Sequence, residues 1–160
     1  VIDEYGFLTS EPWRHYGVTF ISHFFLHSNL FHLLSNMYFF LIFADNVELH
    51  CGRIKFLLLL ILATLVGSWF ELIGYQGQTV LGIGASGGVF GVVTFYLCRF
   101  TKQMFGMFLF GRWLQVPALY LFVLFAVVQV LGVAFLNDGV SYWAHLGGML
   151  VGVSFGIKRS

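Results

Sequence analysis

The sequence predicts an all-α protein whose helices cross a membrane several times. Hydrophobic residues make up 59% of the 160 residues and charged residues only 9%, whereas about a quarter of a typical soluble domain is charged. The apolar residues also form long runs separated by short polar linkers. We therefore expect a polytopic helical bundle, folded as a single domain over residues 1–160.

Five apolar segments are each close to the ~20 residues that a helix needs to cross ~30 Å of hydrocarbon. They are residues 28–44, 56–74, 80–98, 116–136 and 140–157. Glycines in the third and fifth segments predict broken or loop-like structure at their starts. The shorter apolar stretch from Met104 to Gly111 is interpreted as a connector on the membrane surface. Residues 1–27 mix charges with aromatics and predict an outer interfacial loop, which leaves 28–160 as the core.

Basic residues favour one side of this arrangement. Seven of the eight fall in the linkers 45–55 and 99–112 and in the C-terminal tail, namely Arg53, Lys55, Arg99, Lys102, Arg112, Lys158 and Arg159. The positive-inside rule makes that side cytoplasmic. The starts of the third and fifth segments then lie nearer the outer face. The net charge of only +1 argues against a nucleic-acid partner.

One serine, Ser86, stands among five glycines and an alanine in the run from Gly82 to Gly91. Small residues let membrane helices approach closely, so a packing face is one interpretation. The other interpretation is a nucleophile. Flanking glycines leave room for a reacting carbonyl, and a helix that starts near Ser86 would direct unpaired N–H groups to the same point.

His145 begins a second glycine-rich helix and is the candidate base for Ser86. Two glycines four residues apart follow each of them: Gly87 and Gly91 follow Ser86, and Gly148 and Gly152 follow His145. Two such faces can pack backbone to backbone. This packing would bring the Ser86 hydroxyl and the His145 imidazole within hydrogen-bond reach, which is the minimum arrangement for acyl transfer by serine.

His32 and Asn36 are four residues apart and share one face of the first apolar helix. They either hold helices together by hydrogen bonds or act as donors to a developing oxyanion. Polar residues around them predict a wet cavity near the outer face: His23, His27, Asn29, His32, Ser35 and Asn36. The carboxylates Glu48, Glu71 and Asp138 lie near segment ends, so a Ser–His dyad is simpler than a triad.

Several of these motifs, in this order, resemble the rhomboid family of intramembrane serine proteases. The matching residues are Trp13-Arg14, His32-x-x-x-Asn36, Glu48, Gly52, Gly84-Ala85-Ser86-Gly87, and Ala144-His145-Leu146-Gly147-Gly148 with Gly152. The resemblance covers nearly the whole chain. It implies a core of six helices, of which the chain holds the second to the sixth, with the first upstream of Val1.

The resemblance also implies roles for individual residues. Ser86 would attack the scissile carbonyl, and His145 would act first as base and then as acid. Asn36, His32 and the Ser86 backbone N–H would hold the oxyanion, with Gly84 and Phe90 lining the site. Phe90 stands where many relatives have a tyrosine stacked on the histidine, so stacking is expected without the hydroxyl. No cofactor or metal is implied.

The expected function is therefore cleavage of other proteins' transmembrane helices near the outer membrane face. Lipid and transmembrane substrates are the expected partners, and the expected location is a bacterial inner membrane. Three alternatives remain. Gly84 to Gly88 also fits the nucleophile elbow of soluble α/β-hydrolases, His23 and His27 are spaced to chelate a metal or serve a haem protein, and a rhomboid-like protein without catalysis could bind or escort helices.

Overall fold

The computed structural model describes residues 1–109 and 111–157, and for residues 107–109 it describes the backbone alone. Seven α-helices form within these residues: α1 (Ile2–Tyr5), α2 (Thr19–Ser22), α3 (Leu30–Cys51), α4 (Arg53–Gly74), α5 (Ser86–Arg99), α6 (Ala118–Phe135) and α7 (Tyr142–Gly156). Short 3-10 turns cover Arg14–Gly17 and His23–Phe25. The predicted cytoplasmic charges Lys158 and Arg159 lie outside the described residues. The chain is thus the predominantly helical bundle that its composition predicts.

The five apolar segments form the five longest helices of the described residues, but only three of them are long and apolar enough to cross a membrane. These three are α3, α4 and α6. Helix α5 has 14 residues and α7 has 15, so both helices are shorter than the apolar segments 80–98 and 140–157 that contain them. The reason lies in the loops before them, because the chain stays non-helical up to Ala85 and Ser141. The predicted loop-like starts of both segments are present.

Helices α3 and α4 are separated by Gly52 alone, so the prediction of a linker over 45–55 is wrong. Gly52 has a φ of 83°, a left-handed conformation that glycine adopts without a Cβ penalty. Its N–H donates to the Glu48 carbonyl and closes the last turn of α3. The polar residues before Gly52 continue the helix, and the Glu48 carboxylate lies 3.2 Å from Arg53 Nε.

Two antiparallel strand pairs join parts of the chain that are otherwise irregular. Strand β1 (Phe7–Leu8) pairs with β2 (Leu81–Gly82), which ties the N-terminal loop to the segment before Ser86. Strands β3 (Met104–Leu109) and β4 (Arg112–Pro117) form a hairpin. The predicted connector thus contains strand β3 rather than irregular chain over Met104–Leu109, because the strand that follows supplies partners for its backbone.

Helices α5 and α7 pack side by side in parallel through their glycines. A Cβ atom at Gly148 would overlap the Gly87 carbonyl oxygen, and one at Gly152 would overlap the Gly91 carbonyl oxygen. Glycine is therefore required at both positions for the two backbones to approach this closely. The matched spacing of four residues keeps the two helices in one register along their length.

Helix α4 covers the other side of this pair and also relies on missing side chains. A Cβ atom at Gly147 would lie 2.7 Å from the Val66 carbonyl oxygen, and one at Gly67 would lie 2.8 Å from the Ala144 carbonyl oxygen. Near its end, α4 carries the buried Glu71, whose Oε1 accepts a hydrogen bond of 2.7 Å from Ser141 Oγ. Helix α4 thus fixes both the first turn of α7 and the loop before it.

His23 attaches the N-terminal region to α4. Its Nε2 lies 2.9 Å from Ser68 Oγ, and Ser68 in turn donates to the Thr64 carbonyl. Burial lowers the pKa of His23 from its ordinary 6.5 to about 4, and a backbone hydrogen bond with Phe20 offsets part of that effect. The carbonyl of His23 also accepts the Gly84 N–H at 2.9 Å, so this residue supports the loop before Ser86.

Replacing Gly148 by alanine should destabilise the bundle. The new Cβ would push against the Gly87 backbone, which cannot move away as a flexible side chain would, and we expect a loss of about 3 kcal/mol. Thermal unfolding in detergent measures the effect. Gly106→Ala is the control, because the nearest atom to its new Cβ is a side-chain nitrogen 3.6 Å away. Equal melting temperatures for the two variants would contradict the packing described here.

The stability of the protein should fall as the pH drops from about 6.5 to about 4. In this range the unfolded chain binds a proton on His23 that the folded chain does not, which removes up to about 3 kcal/mol. Below about pH 4 both states carry the proton and the effect is complete. His23→Gln keeps an N–H donor but cannot titrate. The free energies of unfolding of the wild type and His23→Gln should therefore approach each other as the pH falls. A difference between them that does not change with pH would refute this assignment.

Candidate active site

Ser86 is the first residue of α5, directly after a loop that glycine makes possible. Gly84 has a φ of 116°, and a Cβ atom there would lie 2.8 Å from the His32 ring. The first intrahelical bond of α5 runs from the Val89 N–H to the Ala85 carbonyl. The N–H of Ser86 precedes it, at the end of the helix where donors have no partner within the helix. A half-buried hydroxyl and a backbone donor thus share one position.

His145 lies in the first turn of α7 at the same level as Ser86. Its Nε2 is 2.8 Å from Ser86 Oγ, and only 7% of the residue is exposed. The predicted hydrogen bond between the two residues is therefore present in the structure. Its origin is the parallel packing of α5 on α7, because each residue sits just before the first glycine contact of its own helix.

Three neighbours hold the imidazole of His145. The Phe90 ring stacks on it with a centroid distance of 4.2 Å and an interplanar angle of 18°. The Tyr142 ring meets it edge-on at 6.3 Å. Gln129 Oε1, on α6, lies 2.8 Å from Nδ1. Sequence reasoning missed Gln129, although an amide in the middle of the very apolar α6 is a signal of the kind that flagged His32 and Asn36.

Asn36 and His32 lie on α3, opposite the start of α5. Asn36 is buried, and its Nδ2 donates to the His32 carbonyl at 3.0 Å. His32 Nδ1 lies 3.2 Å from Ser28 Oγ. Because the His32 ring packs on Gly84, both α3 side chains stand next to the loop that leads into Ser86.

One cavity of about 490 Å³ joins these groups. Its walls are formed by residues of α3, α5, α6 and α7 and of the segments before α3, α5 and α7: Ser28, His32, Ser35, Asn36, Phe39, Leu81, Ile83, Ser86, Val89, Phe90, Val93, Phe125, Asp138, Gly139, Val140, Ser141 and His145. The predicted polar cluster contributes only in part. His32, Ser35 and Asn36 line the cavity, whereas His23 is buried against Ser68 on α4.

The three carboxylates considered for a triad, Glu48, Glu71 and Asp138, have partners other than His145. Asp138 accepts a hydrogen bond of 2.8 Å from the Tyr142 hydroxyl, and this bond is the largest cause of the lowered pKa of Asp138. Glu71 is only 1% exposed and bonds Ser141, so it is a structural residue of the interior rather than an interfacial one. The expectation that none of them completes a triad with His145 agrees with these contacts.

The arrangement contains the parts that acyl transfer to a serine requires. Ser86 offers a hydroxyl, and His145 can remove its proton. The α5 N-terminus and the amide of Asn36 can supply N–H donors to a negatively charged oxygen in the cavity. The catalytic roles of these residues stay predictions.

Comparison with known proteins gives a consistent family. The family model described as "Rhomboid domain" matches residues 9–160. The chain is 30% identical over 134 residues to "Rhomboid-like protease 1" of Toxoplasma gondii, which covers 83% of the chain and 44% of that protein. It is 29% identical over 152 residues to "Rhomboid-related protein 1" of Caenorhabditis elegans, covering 93% of the chain and 40% of that protein. The chain thus spans less than half the length of either relative.

Proposed function

The chain belongs to the rhomboid family, and from this premise we propose that it is an intramembrane serine endopeptidase. Its three long apolar helices and its family together indicate an integral membrane protein. The observation that carries the proposal is the 2.8 Å contact between Ser86 Oγ and His145 Nε2 in the wall of a cavity. A purely structural Ser–His bond would gain nothing from access to that cavity.

In the proposed first step, Ser86 Oγ attacks the carbonyl carbon of a peptide bond while His145 Nε2 takes the hydroxyl proton. The resulting imidazolium then gives this proton to the leaving amine, which departs as the new N-terminus. Stacking on Phe90 keeps the ring plane fixed while the proton passes from one group to the other. Because Phe90 has no hydroxyl, it holds His145 by ring stacking alone.

The negative charge that develops on the carbonyl oxygen needs donors placed in advance. We assign this role to the Ser86 N–H, Asn36 Nδ2 and the His32 ring. An amide nitrogen carries two N–H donors, and the bond of one to the His32 carbonyl holds the Asn36 amide in place for the other. In surroundings of low polarity such donors stabilise charge more strongly than water does.

The second step needs water, which attacks the acyl carbon on Ser86 while His145 takes a proton from it. The bond between the acyl carbon and Ser86 Oγ then breaks, the product leaves as a carboxylic acid, and the imidazolium returns the proton to Ser86 Oγ. Polar side chains of the cavity wall, among them Ser28, Ser35 and Asn36, can hydrate this space. The substrates we propose are transmembrane helices of other proteins. Such a helix must unwind locally, because its carbonyls are already hydrogen-bonded and covered. Small residues and helix breakers near the cleavage site should therefore favour cleavage.

We also propose that the active site faces the outer side of the membrane. Support comes from the basic residues at the opposite end of the bundle, where Arg99 Nε donates to His50 Nε2 at 2.7 Å. Arg53 and Lys55 begin α4 at that same end. Positive charges favour the cytoplasmic side, whereas Ser86 lies at the other end of α5.

Purified protein should react with a serine-directed fluorophosphonate probe and cleave a model transmembrane substrate in liposomes. Ser86→Ala should abolish labelling and cleavage, since the hydroxyl bonded to His145 is removed. His145→Ala should reduce both by at least about a thousandfold, because the base is lost. Ser154→Ala is the control, since this serine is exposed and bonds only its own helix at Leu150. Cleavage by both Ser86→Ala and His145→Ala would refute the mechanism, and an unreactive wild type would favour the binder without catalysis.

Asn36→Ala should lower kcat by about a hundredfold, because one oxyanion donor is lost from a group of three. KM should change little, since the donor acts on charge that develops only in the transition state. Kinetics of the same liposome cleavage reaction provide both constants. Asn137→Ala, an exposed amide outside the cavity wall, serves as the control. An equal loss of kcat in both variants, or a change confined to KM, would speak against this role.

A further inference from the structure

We propose that Gln129 is a positioning residue for His145, which fixes the imidazole in the one tautomer that can accept the Ser86 proton. Gln129 Oε1 lies 2.8 Å from His145 Nδ1. The consequence for catalysis rests on the proposed function. The tautomer itself does not, because it follows from the hydrogen bonds alone.

The orientation of the Gln129 amide decides the direction of this bond. Its Nε2 donates to the Phe125 carbonyl at 3.3 Å. The flipped amide would place Oε1 against that carbonyl oxygen, where two acceptors repel each other. The amide oxygen is therefore the atom that faces His145 Nδ1, and an oxygen of this kind can only accept.

A neutral imidazole carries one proton on either Nδ1 or Nε2. Because Gln129 Oε1 accepts at Nδ1, the proton resides on Nδ1 and Nε2 keeps its lone pair. Ser86 Oγ, 2.8 Å from Nε2, is then the donor in the second bond. The three residues form one directed chain, from the Ser86 hydroxyl through the imidazole to the Gln129 amide.

An amide suits this place better than a carboxylate. Gln129 is only 4% exposed and belongs to a helix long and apolar enough to cross a membrane. A charged carboxylate there would carry a large desolvation cost, because ionised groups are poorly solvated inside a membrane. A neutral amide orients the ring without that cost, although it stabilises the imidazolium less than a carboxylate would.

The other titratable side chains around the imidazole leave this assignment to Gln129. His32 and Asp138 line the same cavity, and Tyr142 meets the ring edge-on. The Tyr142 hydroxyl donates to Asp138, and His32 Nδ1 is occupied by Ser28. Among the described residues, Gln129 is the hydrogen-bond partner of Nδ1.

Nitrogen NMR of histidine tests the tautomer directly. In ¹⁵N-histidine-labelled protein at neutral pH, with the His145 signal identified by its loss in His145→Asn, we expect Nδ1 protonated and Nε2 bare. Gln129→Leu, which has similar size but no acceptor, should shift His145 toward the form with the proton on Nε2. An Nε2-protonated ring in the wild type would overturn the proposal, and this result needs no variant at 129 that folds.

Kinetics test the consequence. Gln129→Leu should lower kcat and the fluorophosphonate labelling rate by about ten- to a hundredfold, with KM nearly unchanged. Gln129→Glu restores an acceptor and should recover most of the rate. It should also move the acidic limb of the pH–rate profile to higher pH, because a carboxylate favours the imidazolium. Val130→Leu is the matched control, since Val130 is the exposed neighbour on α6.

Two outcomes separate this inference from the proposed function. If the wild type labels and Ser86→Ala does not, but Gln129→Leu keeps the wild-type rate and pH profile, the role of Gln129 is wrong and the protease proposal stands. If the wild type neither labels nor cleaves, the protease proposal fails. The NMR result then still decides whether Gln129 sets the tautomer. A loss of rate in Gln129→Leu while the His145 ring keeps its proton on Nδ1 would mark Gln129 as structural and overturn the proposal.

Discussion

The close approach of α5 and α7 is the constraint on which the rest of the structure depends. Two glycine pairs, Gly87 with Gly148 and Gly91 with Gly152, remove the side chains that would hold these helices apart. Lipid tails are as apolar as the helix surfaces, so the hydrophobic effect does not drive helices together inside a bilayer. Close packing is then a main source of helix–helix association. The same contact sets the register that brings Ser86 Oγ and His145 Nε2 to 2.8 Å. Stability of the bundle and geometry of the site are therefore consequences of one interface.

Several polar groups of the interior have hydrogen-bond partners that join two elements. Glu71 joins α4 to the loop before α7 through Ser141, His23 joins the N-terminal region to α4 through Ser68, and Gln129 joins α6 to α7. An unpaired polar group would be costly in such surroundings. These bonds lie around the α5–α7 pair and hold the neighbouring loops and helices. They therefore fix the positions of elements that the glycine contacts alone would not specify.

Much of the site could be predicted from the sequence, because its residues carry local signals. The four-residue spacing of the glycines after Ser86 and His145 predicted the packing, and the pair at His32 and Asn36 shared a helix face as expected. Partners on distant elements had no such signal. Nothing in the spacing connects Gln129 with His145, or His23 with Ser68, since only the fold brings them together. The β3–β4 hairpin was missed for a related reason, as its apolar strand resembles a membrane-surface segment until its pairing partner is known.

The late start of α5 leaves room for the cavity beside Ser86. Helices α3 and α5 end close together, where His50 meets Arg99. From that level, the 22 residues of α3 extend about 33 Å and the 14 residues of α5 about 21 Å. Measured from that level, Ser86 therefore lies about 12 Å short of the start of α3, which is about two turns of helix. A full-length α5 would fill this depth with side chains, so the loop before Ser86 is what leaves room for the cavity.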